Sequence, residues 1–263
     1  MDLGLQGAKV LVTAASSGLG AATARQFSLE GAQVVINSRS LNKLQATARA
    51  INEETGNAVF THAADVSDPA SAAKLISNAV SIMGGLDILV TNAGGPPAGT
   101  FETFDYEDWR SATDLILLST VNLIKYALPH LKKSQRASVL AIVSIAAKEP
   151  VENLTLSNTI RPAVVGLTKT LSFELGEQGI RFNSILPGIT ETARVDHLMI
   201  ARAEKNNTDP DTERSKAAQS IPMKRLGKAE EFANTAVFLC SPAAGFVNGI
   251  GMLVDGGASK ATL

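Results

Sequence analysis

Short apolar runs alternate along the chain with longer stretches in which apolar side chains recur every three or four residues, the respective signatures of buried strands and of helices with one covered face. The runs predict strands at 10–12, 33–37, 58–62, 86–90, 138–144, 181–186 and 253–257. Between them, helices are predicted from Gly20 to about residue 30, over Leu41–Thr55, over Pro69–Met83, over 106–118 and 120–133, and over 162–176. Boundary residues support several of these. Gly56 follows the second helix, Asp68 is placed to cap the third with Pro69 at its first position, and Gly84-Gly85 ends it. No repeat, linker or low-complexity segment interrupts the alternation, which predicts one α/β domain over residues 1–263: a doubly wound parallel sheet of about seven strands with helices on both faces.

Composition narrows the partners. Lys and Arg total 24 against 25 Asp and Glu, a net charge of -1, so no nucleic-acid or membrane-binding surface is expected, and the partners expected are a small-molecule substrate and copies of the chain. Cys240 is the only cysteine and lies in the apolar run NTAVFLCSP, where core packing is expected; an internal disulfide is excluded. No apolar run is long enough to span a bilayer and the N-terminus lacks a basic-then-apolar pattern, which predicts a cytoplasmic protein. His62, His130 and His197 have no metal-ligand spacing, so no catalytic metal is expected, and Asp209-Pro210-Asp211 reads as a turn and helix cap rather than a calcium loop.

The candidate chemistry starts at residues 9–20, KVLVTAASSGLG. A strand, a glycine-bearing turn and a helix leave unpaired N–H groups at the positive end of the helix dipole, where a pyrophosphate can sit if no side chain blocks its approach. Thr13, Ala14, Ser16, Ser17, Gly18, Leu19 and Gly20 form this candidate cradle. Their Thr-Ala-x-x-x-Gly-x-Gly spacing resembles the T-G-x-x-x-G-x-G turn of the short-chain dehydrogenase/reductase family, with Ala14 in place of the first glycine. The resemblance covers essentially the whole chain. It implies a Rossmann-like nucleotide-binding fold, with Asp65-Val66 beside the adenine, Asn92-Ala93-Gly94 after the fourth strand, and Pro187, Gly188, Ile189 and Thr192 near the nicotinamide. Ser38 and Arg39 follow the second strand, where the family reads the adenosine ribose; no carboxylate ends that strand, and a guanidinium pairs well with a 2'-phosphate, so NADP(H) is favoured over NAD(H).

The same resemblance exposes a departure. The family's proton chemistry uses Asn, Ser, Tyr and Lys, and only the serine, Ser144, remains. Ser157 stands at the tyrosine position, Arg161 at the lysine position and Ile116 at the asparagine position; Asn122 is six positions out of register. A serine hydroxyl is a far weaker acid than a phenol of pKa about 10, and an arginine of pKa above about 12 does not relay protons as lysine does. Lys148, Glu149 and Glu152, in the loop after Ser144, and Asn158, beside Ser157, are polar candidates, whereas Tyr106 and Tyr126 are expected to serve core or interface packing. The polar stretch 191–221, with apolar Val195, Leu198 and Met199, corresponds to the family's substrate lid. The leading expectation is an NADP(H)-dependent oxidoreductase for a carbonyl/alcohol pair, resembling 3-oxoacyl-acyl-carrier-protein reductases, with Ser144, Ser157 and Arg161 as catalytic candidates, Ser144 as the oxygen anchor and Arg161 also as a cofactor-binding residue that bonds the ribose or supplies electrostatic support. The alternative is a weakly active or inactive nucleotide-binding sensor or partner subunit, and a lyase or isomerase using the nucleotide transiently also stays open. The resemblance further implies a homodimer or homotetramer.

Overall fold

The computed structural model describes residues 1–262; Leu263, the last residue of the expected domain, lies outside the described residues. Seven parallel strands form one sheet in the order β3-β2-β1-β4-β5-β6-β7: β1 Lys9–Val12, β2 Gln33–Ser38, β3 Val59–Ala63, β4 Ile88–Thr91, β5 Ser138–Ile142, β6 Arg181–Pro187 and β7 Gly251–Val254. The order reverses between β1 and β4, paired from Val10 opposite Ile88 to Val12 opposite Val90, and ligand crevices form outside the carboxyl ends of strands at such a point.

Side-chain alternation along β1 explains why its short run is apolar throughout. Val10 and Val12 face one layer, packing with Phe27 of α1 (Gly18–Leu29), Leu44 and Ile51 of α2 (Leu41–Thr55), and Phe232 and Cys240 of α9 (Ala229–Cys240). Leu11 faces the other, with Leu75 and Ala79 of α3 (Pro69–Met83) and Leu123 and Ala127 of α5 (Ser119–Leu131). Cys240 is therefore a core residue, as expected. The predicted helix boundaries at α2 and α3 hold: Asp68 accepts a hydrogen bond from the Ser71 amide at 2.8 Å, and Gly56 and Gly84 take left-handed φ values of 72° and 70°. No helix among the described residues is long and apolar enough to cross a membrane.

Three helical features differ from the sequence expectation. The helix after β5, α6, spans Thr155–Glu174 and carries Pro162 inside it rather than at its start. Leu156, Ile160 and Val164 form one buried stripe against Ala141, Val143 and Leu186, and that burial outweighs the single backbone bond that proline removes. The segment predicted as two helices after β4 is continuous: α4 (Tyr106–Thr113) passes through a wide π turn at Asp114–Leu118 into α5, where Thr120 Oγ1 donates to the Ile116 carbonyl at 2.9 Å. The polar stretch after β6 is ordered into α7 (Ala193–Asn206) and α8 (Pro210–Ser220), with Asp209 capping α8 by accepting from the Thr212 amide at 2.9 Å.

Candidate active site

The end of β1 is tied to the end of β4. Thr13 Oγ1 donates to the Asn92 carbonyl at 2.7 Å and accepts from the Asn92 amide at 2.8 Å, while Asn92 Nδ2 donates to the Ala14 carbonyl at 3.3 Å. This clasp holds the glycine turn over the crevice. Gly18 has φ 57°, and a Cβ on Gly20 would lie 2.5 Å from the Ala14 carbonyl oxygen, so a side chain there is excluded by the backbone itself. Ala14, in place of the family's first glycine, is held at φ 47°, a conformation that strains a residue with a Cβ.

The helix that follows is open to a ligand. Ser40, Asp68, Asp105 and Asp209 cap α2, α3, α4 and α8 with side-chain bonds, but Ser17 gives α1 no such cap and the first turn holds no acidic residue. Its amides and dipole are left to an external anion. Thr192, which precedes α7 and also gives it no side-chain cap, brings its methyl group within 3.5 Å of where a Gly18 Cβ would be. A Cβ on Gly94 would meet nothing within 4 Å, so the floor beside this turn is open. These residues fit a dinucleotide. Leu19 and Ser16 contribute backbone carbonyls to local bonds with Thr23 and Thr47, and a Cβ on Gly188 would lie 2.7 Å from Asp255 Cβ, which makes Gly188 a packing glycine between β6 and the end of β7.

At the end of β2, buried Asn37 spends its amide on the His62 and Ala64 carbonyls at 3.0 and 3.1 Å, locking β2 to β3. Arg39 beyond it is exposed, and no ion pair engages it among the described residues. Asp65 Oδ1 accepts from the Ser67 amide at 3.0 Å and hydroxyl at 2.7 Å, which fixes the turn that presents buried Val66.

Arg161 reaches the end of β5 beside Ser144, and Ser157 precedes it on α6. Ser157 is buried on α6, and Arg161 lies one helical turn on, on the same face. The Arg161 guanidinium donates to the Val143 carbonyl at 2.6 Å, next to Ser144. Ser144 Oγ accepts from the Ala146 amide at 3.1 Å, leaving its own proton free to donate outward. A small pocket beside them is lined by Thr91, Asn92, Ala93, Ile116 and Arg161. Thr91 Oγ1 is buried there without a hydrogen-bond partner, and Ile116 offers only methyl groups where an amide was expected from the family. Burial, with a smaller contribution from the nearby Arg194 charge, lowers the Arg161 pKa to about 10, which leaves it cationic at neutral pH.

The polar candidates around Ser144 have other engagements. Glu149 accepts from the Lys260 amide at 2.9 Å and the Ser259 hydroxyl at 3.2 Å, tying its loop to the C-terminal tail as an acceptor rather than an acid. Asn158 holds both the amide and the carbonyl of Val151, at 3.0 and 2.8 Å. Lys148 is exposed with its stem toward Gly251, Glu152 pairs with Lys205, Tyr106 is exposed, and Tyr126 packs against the α3–α5 layer. No cluster of three or more metal-ligating side chains occurs among the described residues. One group at the site had no sequence signal. Arg194, at the start of α7, donates to the Pro96 carbonyl at 3.2 Å and covers Gly95, whose Cβ would fall 2.7 Å from its guanidinium.

The segment carrying Arg194 is pinned at both ends, by Glu191 N to the Gly227 carbonyl at 2.9 Å and Gly227 N to the Ile189 carbonyl at 3.0 Å. Val195, Met199, Ala217 and Leu226 give it a small core of its own, with Leu198 packed against it.

Comparison with known proteins agrees with this architecture. A family profile described as Enoyl-(Acyl carrier protein) reductase matches residues 13–259. The 7alpha-hydroxysteroid dehydrogenase of Escherichia coli K12 is 32% identical over 256 residues, covering 97% of this chain and 96% of that protein. The crystal structure of L-sorbose reductase from Gluconobacter frateurii, complexed with NADPH and L-sorbose, superposes with a TM-score of 0.95 at 32% identity, covering 99% of this chain and 100% of the other. A short-chain oxidoreductase from Pseudomonas aeruginosa PAO1, described as containing an atypical catalytic center, superposes in its apo form with a TM-score of 0.91 at 29% identity over 98% of this chain and 100% of the other.

Proposed function

The chain belongs to the short-chain dehydrogenase/reductase family, and on that premise we propose that it is an NADP(H)-dependent oxidoreductase interconverting a carbonyl and an alcohol at a site without the family's Tyr and Lys. The observation that carries the reading is the uncapped start of α1 at the Gly18–Thr192 approach, beside an open floor at Gly94, with Arg161 anchored at the Val143 carbonyl next to Ser144. A dinucleotide fits there on the α1 amides, and Arg39 is free to pair with a 2'-phosphate, which favours NADP(H). Relatives of this fold are solved with NADPH.

The bound nicotinamide supplies or takes the hydride, and the chain's own residues manage charge on the reacting oxygen. Ser144 donates its free hydroxyl proton as a hydrogen bond to that oxygen. Ser157 presents a second hydroxyl from the position the family gives to tyrosine, and the fixed positive charge of Arg161 lies within one turn of it. Together they stabilise a developing alkoxide without a phenolic acid, and its proton comes finally from solvent. Absence of a positioned acid costs on the order of 100- to 10,000-fold in rate, so turnover is expected to be slow beside relatives that retain the tyrosine. Segment 191–221 acts as the lid that excludes water, with Val195, Leu198 and Met199 on its apolar side. The chain acts as a homo-oligomer in the cytoplasm.

The reading is tested by mixing the purified protein with NADPH and a panel of ketones, 3-oxoacyl thioesters and oxo acids while following nicotinamide absorbance. Substrate-dependent oxidation that Ser144→Ala slows on the order of a hundredfold supports it. Tight NADPH binding with no oxidation across the panel would favour the cofactor-sensor alternative, for which the loss of Tyr, Lys and Asn at 157, 161 and 116 is the specific observation.

A further inference from the structure

Two cations lie at the mouth of the site, and among the described residues neither is paired with a carboxylate. Arg161 spends one nitrogen on the Val143 carbonyl, Arg194 spends one on the Pro96 carbonyl, and the two charges are close enough to oppose each other. The acidic groups of the surrounding segments are engaged elsewhere. Asp196, two residues from Arg194, pairs with Arg214. Glu152 pairs with Lys205, Glu149 is taken by the C-terminal tail, and Asp255 accepts from the Gly257 and Ser259 amides at 2.9 and 2.8 Å. A desolvated cation without a counter-ion costs stability, and Arg161, with the exposed Arg194 charge near it, is placed to receive an anion. The pocket that Arg161 borders also holds Thr91 Oγ1, buried at 2% exposure with no partner, a second polar atom awaiting a ligand.

The geometry points to a substrate bearing a carboxylate, a short oxo acid seated between the Arg194 and Arg161 guanidiniums with its carbonyl toward Ser144. This rests on the oxidoreductase reading and names its substrate class. A guanidinium presents a planar fork that matches a carboxylate, and Arg194 sits on the lid segment while Arg161 sits on the rigid α6, so a bridging carboxylate would draw the lid onto the site as it neutralises the pair. The cofactor's phosphates are the other source of such an anion, but the α1 turn and Arg39 already accommodate them.

The test compares 2-oxobutanoate and 3-oxobutanoate with their methyl esters, in the wild type and in Arg194→Gln, alongside the Kd for NADPH. Arg194 is exposed and its backbone bond is within reach of an amide, so the variant keeps the fold. The acids are expected to show KM values lower than the esters by on the order of tenfold to a hundredfold. In Arg194→Gln that preference should vanish, with kcat for the esters and the Kd for NADPH unchanged. Esters reduced as well as acids would overturn the inference while leaving the oxidoreductase reading intact. Equal weakening of NADPH in the variant would also overturn it, assigning Arg194 to the cofactor. If neither class is reduced, the oxidoreductase reading fails, and calorimetric titration of the NADP+ complex with malonate against malonamide decides the anion site: selective malonate binding lost in Arg194→Gln supports it, and no selectivity refutes it.

Discussion

Replacing Arg161 with Met separates what this residue does for function from what it does to stability. In the free protein burial and a second cation nearby depress its pKa from the ordinary arginine range to about 10, which corresponds to about 3 kcal/mol against the charged form. Opposing this is the 2.6 Å bond to the Val143 carbonyl, worth about 2 kcal/mol as a charge-assisted contact. Methionine keeps the apolar stem and removes the charge, so Arg161→Met should stabilise the free protein by about 1 kcal/mol, a rise in Tm of about 2–4 °C for a chain of this size. The pH dependence has a definite sign. A base whose folded pKa is depressed destabilises the folded state while it is charged, and that penalty is relieved as pH rises through about 10, so the Tm advantage of the variant should shrink there. Calorimetry at neutral pH and above pH 10 reads both effects. Turnover in the same variant should fall by on the order of a hundredfold. A Tm lowered by more than about 3 °C at neutral pH would refute the argument, because it would mean that the Val143 contact dominates and that Arg161 is a structural residue.

Other consequences follow from single contacts. Ala14→Gly relieves a left-handed residue next to the glycine turn, and despite the added freedom of the unfolded chain it should raise Tm by about 2 °C; a fall would show that the strain at φ 47° is not real. On the proposed mechanism, in which Ser157 addresses the substrate oxygen and not the cofactor phosphates, Ser157→Ala should lower kcat at least tenfold with little change in the Kd for NADPH; unchanged kcat would remove it from the reaction. Burial raises the Cys240 thiol to about 12, so a thiol reagent at pH 8 should label the native protein only on the timescale of unfolding, as read by mass; rapid labelling would contradict its place in the core.

Much of this arrangement is legible in the sequence because it is local. The VLV run, the spacing of Gly18 and Gly20, the Asp68-Pro69 start and the Gly56 and Gly84 stops each act through neighbouring residues, and their elements appear where the pattern puts them. The start of α6 was harder to read. Pro162 mimics a helix beginning, and only the packing of Leu156 and Ile160 on the sheet shows that the helix starts at Thr155. The placement of Arg161 beside Ser144 follows from family spacing, but its charge environment does not. Arg194 lies more than thirty positions from Arg161 and in a polar segment, so nothing short of the tertiary structure brings the two cations together. Glu149 illustrates the reverse: its sequence neighbourhood suits an acid, and its capture by residues 259 and 260 depends on where the chain's end folds back.

The central claim, an NADP(H) site on the α1 turn with Arg39 as its phosphate reader, is tested most directly by titrating the wild type and Arg39→Ala with NADPH and NADH and following nicotinamide fluorescence. The account predicts that the wild type binds NADPH at least about tenfold more tightly than NADH, and that Arg39→Ala removes this difference by weakening NADPH alone. Equal loss of both cofactors would take Arg39 out of the recognition, and no binding of either would contradict the site itself.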